Sequence, residues 1–241
     1  MEVMDLLSVR SFWWSDSFMH AFSPSRVGSG GILAVWNPHF ISQKQMIIGD
    51  WFVVVEAVWT RLGLDVMFFV IYAPQGAVCK RNLWANILEM VVSFLGECIL
   101  MGDFNEVRDE LERLGSRFNS MNARYFNDFI EYADLVDVPL GGPKFTWSDR
   151  WGSKFSKLNR FLITEGLLHN FPHMTGLVLE KNLLDHRPII LIEQPVDYGP
   201  TPFRNFHSWF ELDDFDGIVR GSWLQLVVGL VDMNPWCNIP L

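Results

Sequence analysis

Cysteine is scarce in this chain of 241 residues: Cys79, Cys98 and Cys237 are odd in number and far apart, with no Cys-x-x-Cys among them. That pattern argues against a disulfide framework, a disulfide-linked partner or a zinc site, and it fits a reducing compartment. Basic charge is also short, with 28 acidic residues against 19 basic ones and a net charge of −9. Affinity for nucleic acid through bulk electrostatics is therefore not expected, although a locally positive groove remains compatible. No apolar run is long enough for a bilayer; the longest, residues 90–101, is broken by Glu97. Glu2 and Asp5 precede any apolar stretch, so no secretory signal is read. Gly28, Gly30 and Gly31 lack the spacing of a phosphate-binding fingerprint, and no internal repeat is present. These absences describe a soluble, intracellular protein with no membrane partner.

What the chain does have is apolar mass. Hydrophobic residues make up 49% of it, with 20 Phe and 11 Trp, enough for one large domain or two small ones. Residues 1–29 read as aromatic-rich and irregular. Strand-like runs follow at 32–36, 51–59 and 64–72, with Arg61-Leu62-Gly63 as a hairpin connection. From Cys79 to Leu95 the period changes: Leu83, Trp84, Ile87, Leu88, Val91, Val92 and Leu95 share one helical stripe. A second amphipathic helix is expected from Ser120, as N-cap, to about Asp134, burying Tyr125, Phe126, Phe129 and Ile130. Short strands are expected at 145–147, 157–163 and 188–192. After Glu193, Pro195, Gly199, Pro200 and Pro202 mark a linker; a lone helix (213–225) and a poorly ordered tail (232–241) complete the chain.

The stretch Cys98-Ile-Leu-Met-Gly-Asp-Phe-Asn105 organises the rest. Its apolar run stops at Gly102 and delivers Asp103 and Asn105 onto a turn, as buried strands do where ligands meet open sheets. Asp103 can hold a hard cation or take a proton, and Asn105 points the same way if strand geometry persists. Further polar groups stand at strand ends or turns: Tyr72, Thr146, Asn159, and Asp185 with His186. The charge run 109–113 reads as a solvated loop. His169 and His173 are separated by Pro172 and read as a solvated turn, not a metal pair.

As an ordered set, Tyr72-Ala-Pro, Gly102-Asp-Phe-Asn, Phe145-Thr-Trp, Ser156-Lys-Leu-Asn-Arg-Phe-Leu and Asp185-His-Arg-Pro-Ile resemble the endonuclease/exonuclease/phosphatase superfamily. They look most like the endonuclease domain of plant LINE-type (non-LTR) retrotransposons, over roughly residues 1–223. The resemblance implies a four-layer α/β sandwich, with two mixed sheets face to face, helices outside and the site at one rim. It implies an endonuclease/exonuclease/phosphatase-like domain over residues 1–194. Residues 195–241, with Pro202-Phe-Arg-Asn-Phe206, resemble the segment leading to a reverse transcriptase. It also implies Mg²⁺-dependent phosphodiester hydrolysis of DNA, with the nucleus as a possible compartment. On the matched positions, His186 would touch the scissile phosphate and handle protons, and Asp185 would help bind the metal. Asp103 would position and activate water, Asn105 and Tyr72 would stabilise the phosphate, and Thr146 would be a substrate-side contact.

Two departures from the pattern change the expectation. The family opens with a strand carrying an Asn and a second strand ending in Gln-Glu, whose Glu is a principal metal ligand; this chain starts past that point. And Asn159 stands where the family has the Asp that holds the histidine, keeping the shape but losing the charge. The expected protein is thus an N-terminally incomplete, catalytically impaired relative with weakened Mg²⁺ and DNA binding. Unpaired strand edges and exposed apolar faces are expected at the missing strands. The alternatives are an active DNA endonuclease or a phosphoesterase of the same superfamily.

Overall fold

β-Branched and aromatic residues dominate the runs that become the central sheet. The computed structural model describes residues 9–10, 13, 17–25, 30–181, 184–193, 214–217 and 219–221. In chain order the strands are β1 (Met19–Ser23), β2 (Ile32–Trp36), β3 (Ile41–Ile48), β4 (Phe52–Trp59), β5 (Leu64–Tyr72), β6 (Glu97–Asp103) and β7 (Arg113–Leu114). They continue with β8 (Leu135–Asp137), β9 (Leu140–Gly141), β10 (Trp147–Ser148), β11 (Phe155–Ser156), β12 (Asn159–Thr164), β13 (Met174–Val178) and β14 (Ile189–Glu193). The helices are α1 (Ala77–Ser93), α2 (Ser120–Tyr132) and α3 (Glu165–Asn170). The chain divides into two compact units, Met1–Pro195 and Val196–Leu241; in the second, residues 215–217 and 219–221 are helical.

Six strands form the main sheet in the order β3-β4-β5-β6-β12-β8. Only β5 and β6 run parallel, joined by α1 as a crossover; the other neighbours are antiparallel. Alternation sends Val54, Met67, Phe69, Ile71 and Leu100 to one face, where α1 and α2 cover them. There the Trp84 ring stacks on Phe129 at 5.2 Å and tilts against Phe104 and Phe126. The opposite face carries Val53, Val55 and Ala57 against Ile32, Ala34 and Trp36 of β2. Further along that face, Val66, Ile99, Phe161 and Ile163 meet Leu167 and Phe171, with Ile189 and Leu191 packed beside them. A second mixed sheet, β14-β13-β9, and the β1-β2 ribbon therefore contribute to the cores on this face. The mixed sandwich matches the expected fold class.

Register positions the site. The parallel β5–β6 ladder pairs Tyr72 with Asp103, and the antiparallel β12–β6 ladder pairs Asn159 with Asp103. Three candidate residues thus stand side by side in one row at the same end of three adjacent strands. Gly102 makes that row possible. It has φ +128, and a Cβ there would fall 2.0 Å from the Ile71 carbonyl oxygen. Gly102→Ala is expected to destabilise the fold by at least about 2 kcal/mol, measured by urea unfolding; a loss within error would contradict this close approach.

Several local expectations are corrected. Residues 19–23, within the stretch read as irregular, form β1, paired with β2 from Met19↔Trp36 to Ser23↔Ile32. β3 was not legible, because its residues lack alternation and most are exposed. Asn119, not Ser120, caps α2: its side chain accepts the N–H of Asn122, and Ser120 is already helical. Tyr125 is exposed beneath the Arg81 guanidinium, 5.0 Å from its ring centroid. α1 ends at Ser93, leaving Val92 and Leu95 exposed outside the core stripe. The expected helix 213–225 lies partly, and the tail wholly, outside the described residues. No helix among the described residues is long and apolar enough to cross a membrane.

Candidate active site

Asp103 ends β6 with its side chain buried. Its Oδ1 accepts the N–H of Asn105 at 2.8 Å, closing a turn in which Asn105 takes φ +49. Strand geometry does not persist to Asn105, so its direction comes from this left-handed turn and not from alternation. The Asn105 amide Nδ2 donates to the Ala73 carbonyl at 2.6 Å, tying the turn to the end of β5.

His186 reaches the same row from the other side of the pocket. The segment 185–187 is sewn to β10 by Ser148 N–H to the Asp185 carbonyl (3.1 Å) and Arg187 N–H to the Thr146 carbonyl (2.7 Å). That places His186 Nδ1 2.8 Å from Asn159 Oδ1 and His186 Nε2 3.7 Å from Asp103 Oδ2. An amide oxygen only accepts, so this partner assigns the proton to Nδ1 and turns Nε2 toward Asp103. Asp185 Oδ2 accepts the Trp147 indole N–H at 3.0 Å. Burial raises the Asp103 carboxyl above its ordinary value; His186 and the Asn105 N–H pull it down, Asp185 pushes it up, Lys80 pulls it down, and the balance is upward.

Thr146 is 0% exposed, and its Oγ1 accepts the N–H groups of both Leu158 and Asn159 at 2.9 Å, so its hydroxyl helps to orient Asn159. Tyr72, Asp103, Asn105, Asp185 and His186 line one pocket of about 550 Å³.

The pocket also carries groups the sequence did not single out: Arg113 and Lys154 line it and bring positive charge despite the acidic total. Arg113 had been read within a solvated run, yet its Nε donates to Ser156 Oγ at 3.3 Å across the β7–β11 pair. Glu112, from the same run, is held by Arg160. This arginine is 0% exposed and donates to Glu112 Oε1 (2.9 Å), Asp137 Oδ2 (2.8 Å) and the Lys157 carbonyl (3.1 Å), with a further bond to Glu112 Oε2. Burial pushes the Glu112 carboxyl up, but Arg160, the Arg108 N–H and Lys157 more than offset it and hold it below its usual range. No sequence period marks this network, because its members are far apart in the chain and meet only through β12.

The oxygen donors of the pocket, the carboxylates of Asp103 and Asp185 with Glu106 already paired to Lys80, suit a hard divalent cation better than a soft one. Among the described residues no group of three or more His, Cys, Asp or Glu converges as an ion site.

No model of a known protein family matches the sequence, and no curated protein matches it. Solved structures match the fold. The AP endonuclease LMAP from Leishmania major aligns with TM-score 0.58 and 12% identity, over 75% of this chain and 72% of that one. An endonuclease/exonuclease/phosphatase from Bacteroides vulgatus aligns with TM-score 0.54 and 11% identity, over 78% of this chain and 80% of that one. The endonuclease domain of TRAS1, a telomere-specific non-LTR retrotransposon, aligns with TM-score 0.51 and 14% identity, over 72% of this chain and 77% of that one. At such identities the likeness speaks to architecture. The chain has the mixed α/β sandwich fold of endonuclease/exonuclease/phosphatase proteins.

Proposed function

We propose that this chain carries a phosphodiester-cleaving site for DNA, derived from a non-LTR retrotransposon endonuclease of the plant LINE type and now impaired. The observation that carries the reading is the row Tyr72–Asp103–Asn159, with His186 bonded to Asn159 and facing Asp103, beside a pocket that Arg113 and Lys154 also line. Arg113 and Lys154 would attract the phosphodiester, and the Asn105 amide and the Tyr72 hydroxyl would orient its oxygens. His186 Nε2 and Asp103 would hold and pass the proton of an attacking water. Asp185 would hold Mg²⁺, which when bound neutralises charge on the phosphate.

Impairment has two supports. Asn159 supplies an acceptor to His186 but no negative charge. Of the three carboxylates that line the pocket, Glu106 is paired with Lys80, which leaves Asp103 and Asp185 for a cation. Among the described residues, β1-β2 and β14-β13-β9 are separate sheets, and an apolar cavity of about 330 Å³ beside β2 is lined by Ala34, Trp36, Val55, Phe68, Val70 and Met101. Residues 195–241 read as the link toward a reverse transcriptase.

The test is nicking of supercoiled plasmid by the full chain with Mg²⁺, beside release of phosphate from a soluble inositol phosphate. Slow nicking that stops with EDTA and in His186→Ala is expected, with no phosphate release. Phosphate release without nicking would favour a phosphatase and overturn the DNA reading.

A further inference from the structure

The first turn of α1 sends a charged side chain inward to the base of the pocket, which Lys80 and Glu106 both line. The side chains of Lys80 and Glu106 are only 7% and 3% exposed, and they form a buried ion pair. Lys80 Nζ also donates to the Asn105 carbonyl at 3.0 Å, and Glu106 Oε1 accepts the N–H of Val107 at 3.2 Å. The pair therefore grips the backbone on both sides of Glu106. What it grips is a non-glycine residue at φ +49, a conformation that persists only where its surroundings over-determine it. The other two bonds to Asn105 come from the ends of the adjoining strands, one from Asp103 Oδ1 and one from the Ala73 carbonyl. Lys80 comes from the helical layer instead.

We propose that Lys80 is a positioning residue for the site. Its ammonium, balanced by Glu106, locks the Asp103–Asn105 turn so that the Asp103 carboxylate and the Asn105 amide face the pocket in fixed relation. Two of its donors are committed to the pair and to a backbone carbonyl, so its role is argued from this turn although Lys80 also lines the pocket. The catalytic consequence rests on the phosphodiesterase reading; the geometric part does not.

Lys80→Met alone strands a buried carboxylate and can unfold the chain. The decisive variant is Lys80→Met/Glu106→Leu in the full chain, which removes both charges; buried pairs replaced in this way often leave stability unchanged. Hydrogen exchange of the Asn105 amide, followed by NMR, is expected to speed up at least about 10-fold, while the amides of Val54 and Leu100 keep the parent's rates. A pair that only added stability would shift all three together or none. Unchanged Asn105 exchange in the folded variant, or a uniform shift, overturns the proposal. In an Asn159→Asp background the same two changes are expected to lower kcat for nicking about 10-fold with KM unchanged. If that background does not nick at all, the proposed activity fails, and the exchange measurement still decides the role of Lys80.

Discussion

Asn159→Asp is expected to raise Mg²⁺-dependent nicking by roughly 10²–10⁴-fold over the parent chain. The scale is borrowed from the reverse change in a serine-protease triad, where Asp to Asn at the histidine-orienting position costs about 10⁴ in turnover. The geometry for the gain is already in place. His186 Nδ1 lies 2.8 Å from Asn159 Oδ1, and the Asn159 backbone is pinned by the buried Thr146 hydroxyl. An aspartate at 159 keeps the same acceptor and adds a charge that favours the imidazolium formed when His186 takes a proton. The comparison is single-turnover nicking of the two proteins under identical metal and salt. Equal rates would mean that the lost charge is not what limits this site.

Arg160→Met is expected to have the largest effect on stability, about 3–5 kcal/mol, because it leaves Glu112 and Asp137 buried without their principal cation. For a domain of this size that corresponds to a fall in Tm of roughly 6–20 °C. Acid dependence supplies a second signature. The Glu112 carboxyl is held below its ordinary value of 4.5 in the folded protein. A depressed carboxyl contributes stability that is present above the unfolded value and is lost as pH falls through the folded one. In Arg160→Met, burial, already the largest single influence on Glu112, loses its strongest opposition, so the variant is expected to lose less stability than the parent as the pH is lowered through that range. Chemical unfolding of both proteins between about pH 6 and pH 3 measures this. Parallel curves would show that Arg160 does not set the ionisation of Glu112. Because Arg160 adjoins Asn159 and Glu112 adjoins Arg113, the same variant is also expected to loosen the pocket.

Much of the site was legible because strand ends announce themselves locally. The apolar run 99–101, stopped by Gly102, is visible in sequence, and so are Tyr72-Ala73-Pro74 and Asp185-His186. The structure brings Tyr72, Asp103, Asn105, Asp185 and His186 to one pocket, with Asn159 in the adjoining row. What stayed hidden depends on three-dimensional company. Thr146 is legible as a polar group at a strand end, but not that its hydroxyl accepts the N–H groups of Leu158 and Asn159. Glu112 and Arg113 read as a solvated run because their partners, Arg160 and Ser156, lie more than forty residues away. Lys80 lies one turn before Leu83 and Trp84 on the same helical stripe, but nothing in the sequence names Glu106 and the Asn105 carbonyl as its partners. β3 escaped for the opposite reason: as an edge strand with both faces largely exposed, it carries no alternation to read. The capping residue of α2 was missed by one position, since Asn119 and Ser120 both have side chains suited to the role.

The most direct measurement is a four-way nicking comparison on supercoiled DNA: the parent chain, Asn159→Asp, and Asn159→Asp/His186→Ala, each with Mg²⁺, and Asn159→Asp with EDTA, after circular dichroism confirms that all three proteins are folded. A weak parent, a much faster Asn159→Asp and a return to background on removing either the metal or the imidazole are expected of an impaired phosphodiesterase site built on the Asp103 row. Nicking that is equally fast in the His186→Ala double variant, or no nicking by any folded protein, would contradict it.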